Sequence, residues 1–288
     1  MPAARQLGST TRTDRWWVVP AATFAGLLAF IVYSTWAAFQ GRDFCAHAGA
    51  PTVSMFGGAH SVASYLSPMY SPVLFDVPGT HSGHAWFGEA PGWLTGLFPA
   101  FVGFSPAFLI LWAPGGFRFT CYYYRGAYYK AFWGDPLSCA VGEPGFRGRA
   151  YRGEQKFPLI LQNIHRYFLY LAVAFIGLLT YDAVISYVFR DPATGAKGFG
   201  IGLGSLVLTI NPILLGGYTF GCHSLRHLIA GRIDCMSEHP ARFRAYEGVS
   251  CLNRNHMKWA WASLFWVGFT DFYVRMVATG AWTDWRIV

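Results

Sequence analysis

The stretch Tyr167–Phe189, YFLYLAVAFIGLLTYDAVISYVF, carries one charged side chain, Asp182, in 23 residues. At about 1.5 Å per residue, a helix of that length spans more than the roughly 30 Å of hydrocarbon in a bilayer. A core helix of a water-soluble protein rarely needs such a run, so lipid is the expected solvent for this segment. Four more charge-poor runs extend the pattern: Trp16–Phe39, Trp93–Ala113, Phe199–Phe220 and Met257–Ala278. The expected fold is therefore all-α, an integral membrane bundle of five transmembrane helices (16–39, 93–113, 167–189, 199–220 and 257–278), with an outer loop or cap over 40–92.

Composition agrees, with 53% hydrophobic, 18% aromatic and 12% charged residues, the balance of a single bundle with modest loops. The net charge of +8 is not a nucleic-acid signal, because its placement follows topology. Of 22 Lys and Arg, three lie in the head 1–15, eight in 114–166 and six in 222–258, so 17 fall on one face. Basic loop residues stay cytoplasmic, which predicts a multi-pass protein of the cell membrane with its N-terminus inside and its tail 279–288 outside. The first run is too long, and the head too polar, for a cleaved signal peptide, so it reads as a permanent anchor. Segment 40–92 is rich in Gly, Pro, Ser and His, with one Arg against three acids, and suits a structured cap or a re-entrant loop. No internal repeat is present, which argues against a transporter built from duplicated halves.

This topology sorts the reactive side chains. Cys121, Cys139, Cys222, Cys235 and Cys251 fall on the cytoplasmic side, in the loops 114–166 and 221–256, as do His165, His223, His227, His239 and His256. Cys45 alone is outside and reads as a small buried hydrophobe. Thiols in a reducing compartment point to metal binding, catalysis or packing rather than disulfides. The sharpest local motif is CHSLRH, Cys222 to His227, in which His223 and His227 share one helix face and can reach one metal ion. Polar residues answering headgroups would produce the same spacing. With Cys121 and Cys139, the pair makes a candidate Cys2His2 set for zinc or for a Rieske-type [2Fe-2S] cluster. Competing local pairs are Cys235 with His239 and Cys251 with His256. A single haem held by two of His165, His223, His227 and His256 is the remaining redox option, whereas stacked haems are excluded because the outer helix halves hold no histidine.

Between helices, Asp182 and the i, i+4 pair Asp271–Arg275 read either as a proton path or as polar clasps. Asn211–Pro212 is expected to kink the helix that contains it. The aromatic, basic stretch RFTCYYYRGAYYKAFW, Arg118 to Trp133, suits the headgroup layer or an acidic partner.

Five phrases carry a resemblance: CYYYRGAYYKAFWGDPLSCAV from Cys121, FPLILQNIHRYFLY from Phe157, LTYDA from Leu179, CHSLRHLIAGR from Cys222, and NRNHMKWAWASLFWVGFTDFYVRMVATG from Asn253. With these, the chain from about residue 90 onward resembles the single-subunit, five-helix membrane anchor of an actinobacterial class of succinate dehydrogenase, respiratory complex II. The resemblance implies docking of a flavoprotein and an iron–sulfur subunit on the cytoplasmic face, a lipid quinone as electron acceptor, and the succinate-oxidising site on the partners. It further implies a Rieske-type [2Fe-2S] cluster in place of haem, with Cys121, Cys139, His223 and His227 as ligands and Cys222 and His256 as second choices. His165 could also stand in for a histidine ligand. A quinone site at His165 and Arg166, walled by Trp133, matches the need for donors beside an apolar slot. The weaker alternatives are a mono-haem cytochrome b-type anchor and a non-redox anchor or small transporter with structural zinc. Membrane lipids are the remaining expected partners, a higher oligomer is left open, and nucleic acid is excluded.

Overall fold

A computed structural model describes residues 14–15, 17–46, 52–54, 62–132, 159–191 and 194–287. Among them the chain is mostly helical: α1 (Val18–Gln40), α2 (Gly92–Thr95), α3 (Ala107–Ile110), α4 (Trp112–Thr120), α5 (Tyr122–Phe132), α6 (His165–Ile185), α7 (Leu203–Phe220), α8 (His223–Ala230), α9 (Pro240–Arg254) and α10 (His256–Ala278). Helices α1, α6 and α7 are long and apolar enough to cross a membrane. Helix α10 is as long as α1, at 23 residues, with Asp271 and Arg275 inside it. The surface of α1 is apolar nearly all round, with Val19, Ile31, Val32 and Trp36 exposed, an exterior suited to lipid rather than water.

The run 93–113 departs from the helix expected of it. Gly92–Thr95 makes a single turn, and helical geometry returns only at Ala107, continuing to Phe132 with an extended residue at Cys121. Pro99 and Pro106 each lack the backbone donor a helix interior needs, and Gly103 sits at φ +71°. Hydropathy registers none of these breaks, so the helix is displaced toward the aromatic stretch. Pro212, by contrast, lies inside an unbroken α7. Trp266 of α10 donates to the Val207 carbonyl at 3.1 Å, one residue before the carbonyl that the proline leaves without its donor.

Helix α7 packs between α6 and α10, α4 lies on α6, and α1 lies against α5 and α10. Small residues set the close approaches: a Cβ at Gly217 would stand 2.7 Å from the Trp259 ring. Gly217→Ala is therefore expected to force the α7–α10 contact apart at about 1–3 kcal/mol of stability. Thermal melting of the purified protein in detergent reads this, and an unchanged midpoint would mean that Trp259 swings aside freely.

The segment after α1 folds back as the cap expected over 40–92. Strands β1 (Cys45–Ala46), β2 (Thr52–Ser54), β3 (Val62–Ala63) and β4 (Tyr65–Leu66) come from it, while β5 (Val188–Arg190) and β6 (Lys197–Phe199) form the α6–α7 hairpin and β7 (Asp284–Arg286) the tail. β1 pairs antiparallel with β4, β2 runs parallel to β7, and β3–β5–β6 form a three-stranded sheet, so cap, hairpin and tail are woven together. Gly41 at φ +59° ends α1, and its N–H donates to the Tyr70 hydroxyl at 3.0 Å.

Beneath the cap the polar residues form clasps. Arg275 Nε donates to Asp271 Oδ2 at 2.8 Å, and its Nη atoms donate to the carbonyls of Arg42 and Ala37 at the end of α1. Tyr33 and Ser67 hydroxyls complete the Asp271 shell. Asp182 accepts from Ser71, and Asp284 accepts from Tyr65, Tyr273 and the Gly204 N–H at the start of α7. Asp271, Asp182 and Asp284 are thus each hydrogen-bonded, whereas Asp76 in the cap keeps one buried oxygen without a partner, and Asp284 also answers the positive end of a helix dipole.

Candidate functional site

At the end of the bundle opposite the cap, four donors collect where helices begin and end. Cys121 is the extended residue between α4 and α5, with φ −62° and ψ 131°. Cys222 stands between α7 and α8 as the N-cap of α8, its sulfur accepting from the Ser224 N–H. His165 opens α6 and His256 opens α10. Cys121 and Cys222 are each 2% exposed and His165 8%, and both thiols belong to the core cluster between these helices.

The donors fall into two contacts. His165 Nε2 lies 3.1 Å from Cys222 Sγ, and His256 Nε2 lies 3.7 Å from Cys121 Sγ. Thr120 donates its hydroxyl hydrogen to the Gly116 carbonyl at 2.7 Å, so the hydroxyl must accept from His165 Nδ1, 2.8 Å away. That assignment puts the proton of His165 on Nδ1 and leaves the Nε2 lone pair aimed at the sulfur. The Phe117 ring stacks on His165 at 4.6 Å and the Tyr218 ring on His256 at 4.9 Å, fixing both imidazole planes. His256 Nδ1 is buried with no hydrogen-bond partner. Burial pushes the Cys222 thiol up to about 11, so a metal taking it must displace a proton.

Arg118 underlies the layer. Its guanidinium donates to the Tyr124 hydroxyl at 2.8 Å and to Ser263 Oγ at 2.9 Å, and its carbon stands 4.7 Å from the Tyr218 ring centre. An open groove of about 1350 Å³ begins at Cys121, His165 and Cys222 and runs out over α8, with Arg125, Arg166, Arg232 and Arg242 on its walls.

The other residues singled out by the sequence have different surroundings. His223 and His227 do share a face of α8, with Nε2 atoms 2.9 Å apart, but they are set on the groove wall beside the buried thiols. Burial, then His227 and Arg226, hold the His223 imidazole below its ordinary range. His165, expected beside a quinone, has both nitrogens engaged within the Cys/His layer. Arg166 lies over the Tyr167 ring and opens on the groove. Cys139 and Trp133 lie outside the described residues. Cys235 and Cys251 are exposed, and Cys45 is buried within the cap, in β1.

Among the described residues, no three of His, Cys, Asp and Glu converge tightly enough for a single metal ion. The set is instead two thiols and two imidazoles, each imidazole beside one sulfur, a donor count that suits a two-iron cluster. The sequence signal for it was positional: His165 and His256 open α6 and α10, Cys121 directly follows α4, and Cys222 stands two residues past α7 as the N-cap of α8.

Residues 18–280 match the family described as actinobacterial succinate dehydrogenase subunit SdhC. A search of curated proteins finds no match. Among solved structures, the chain is similar to one of the Mycobacterium smegmatis Sdh1 complex in the apo form, with 42% identity, a TM-score of 0.77, and coverage of 99% of this chain and 96% of that one.

Proposed function

The chain belongs to the actinobacterial succinate dehydrogenase subunit SdhC family, and from that membership we propose that it passes electrons to a membrane quinone through a Rieske-type [2Fe-2S] cluster at the end of the bundle opposite the cap. It is a membrane anchor subunit of that enzyme. Succinate is oxidised to fumarate on the partner subunits, releasing a pair of electrons and a pair of protons, and a quinone that accepts both pairs becomes a quinol. The proposed partners are a flavoprotein and an iron–sulfur subunit docked on the arginine-lined groove. The proposed orientation puts this face and the N-terminus in the cytoplasm, the cap and C-terminus outside, with spans near 16–39, 93–113, 167–189, 199–220 and 257–278; the helix running to Phe132 argues for moving the second toward the loop.

One observation carries the reading: two buried thiols and two oriented imidazoles occupy one layer where four helices meet. Of the sets open in the sequence, Cys121, Cys222, His165 and His256 have this support. Cys139, His223 and His227 keep only their spacing, though His223 and His227 are near enough to act on what docks above. When bound, the cluster would supply one-electron transfer at a potential raised by imidazole ligation. The residues do the rest. Thr120 holds the His165 tautomer, Phe117 and Tyr218 hold the ring planes, and α4, α7 and α10 keep bulk water from the sulfurs.

The test is composition. The purified complex is expected to contain iron and acid-labile sulfide beyond the partners' share, with no pyridine haemochrome. Haem in this subunit would favour the cytochrome b-type reading, and neither haem nor extra sulfide would favour a non-redox anchor with structural zinc.

A further inference from the structure

Arg118, in the last turn of α4, carries a positive charge into the bundle beneath the Cys/His layer. Its guanidinium is held by α10 and α5. Nη1 donates to the Tyr124 hydroxyl at 2.8 Å and to the Ala260 carbonyl at 3.2 Å, and Nη2 donates to Ser263 Oγ at 2.9 Å. The Tyr124 and Ser263 hydroxyls donate their own hydrogens to that same carbonyl, at 2.7 and 3.2 Å, so each offers Arg118 a lone pair. All three partners are neutral, and among the described residues no carboxylate bonds to the guanidinium. A charge left without a counter-ion at such a depth is costly and tends to be kept for a function.

One aromatic ring stands between this charge and the layer. The guanidinium carbon lies 4.7 Å from the centre of the Tyr218 ring, which stacks on His256 at 4.9 Å and whose hydroxyl is engaged with Cys121. Tyr218 is 1% exposed, so bulk water does not screen the field along that line. Arg166, Arg232 and Arg242 differ, because they stand on an open groove where solvent and salt weaken their reach.

We infer that Arg118 sets the reduction potential of the Cys/His layer, its fixed positive charge stabilising the negative charge that an arriving electron brings. The inference rests on the electron-transfer reading above and deepens it. Arg118 is a positioning residue, since its side chain bonds to none of the four donors and acts through Tyr218. Each electron that comes from the partner iron–sulfur subunit adds one negative charge to the layer and removes it again on leaving for the quinone. At an effective dielectric of about 20, a unit charge one ring away favours the reduced state by roughly tenfold or more. Thr120 and Phe117 orient a ligand without changing the charge beside it, whereas Arg118 supplies that charge at a distance fixed by its bonds to α10.

The test is a redox titration of the whole complex in detergent, followed by paramagnetic resonance. Arg118→Met is expected to lower the equilibrium constant for reduction at least tenfold, a fall of about 59 mV in a one-electron midpoint. Iron, acid-labile sulfide and the shape of the signal are expected to stay as in the wild type. Arg118→Lys keeps the charge and is expected to hold its midpoint nearer to the wild type than to Arg118→Met. Ser263→Asp is the second route, because it leaves the guanidinium in place and sets a carboxylate beside it; its midpoint is expected to fall as well. Wild-type midpoints in both Arg118→Met and Ser263→Asp would overturn the inference. So would a fall in Arg118→Lys as large as in Arg118→Met, which would assign the effect to packing rather than charge. Absence of iron and sulfide from this subunit of the wild-type complex would instead remove the reading on which the inference rests.

Discussion

Replacing His165 and His256 together by alanine is expected to abolish the paramagnetic signal of a histidine-ligated two-iron centre and to lower succinate-dependent quinone reduction by about 100-fold or more. Both imidazoles lie against a buried thiol, at 3.1 Å for His165 with Cys222 and 3.7 Å for His256 with Cys121. Dye-coupled succinate oxidation should persist, since that chemistry is on the partners, and co-purification of the subunits checks assembly. The comparison is His223→Ala with His227→Ala, which leaves the buried layer untouched and should keep the signal. If the signal instead vanishes in that variant and survives in the first, the ligands are the helical His-x3-His pair with Cys121 and Cys139. Cys222→Ser sharpens the outcome, because serine keeps the N-cap of α8 while removing the soft ligand.

Arg275→Leu is expected to be the most destabilising single change beneath the cap, by about 3–5 kcal/mol, because it strands a charged Asp271 with no solvent to answer it. Asp271 is 0% and Arg275 2% exposed, and the guanidinium also satisfies carbonyls at the end of α1. Asp271→Asn combined with Arg275→Leu should be milder than Arg275→Leu alone, since no unpaired charge is left behind. Melting of the detergent-solubilised complex distinguishes the cases. A double variant as unstable as the single one would mean that the α1 carbonyl contacts, not the ion pair, hold the cap to the bundle.

Much of the architecture was legible from hydropathy and charge. The runs ending at Phe39 and Phe220 became α1 and α7. The run 93–113 misled because hydropathy averages over composition, whereas Pro99, Gly103 and Pro106 act through backbone geometry at single positions. The Asp271–Arg275 pair was visible as an i, i+4 spacing. Its closure onto Tyr33, Ser67 and the end of α1 was not, because those partners come from segments far away in the chain.

The ligand set shows the same limit. His223 and His227 stand out in a sequence because their proximity is local, and the structure keeps it, with ring nitrogens 2.9 Å apart. Cys121, His165, Cys222 and His256 have no such spacing, and each borders a different helix. Alone, the sequence determined that this chain is a membrane subunit, since that follows from composition summed along each apolar run. Which of its side chains touch was decided only by the tertiary structure: the rotation of each helix about its axis, set by contacts such as Gly217 on Trp259, chooses the donors that turn inward and those left on the groove wall.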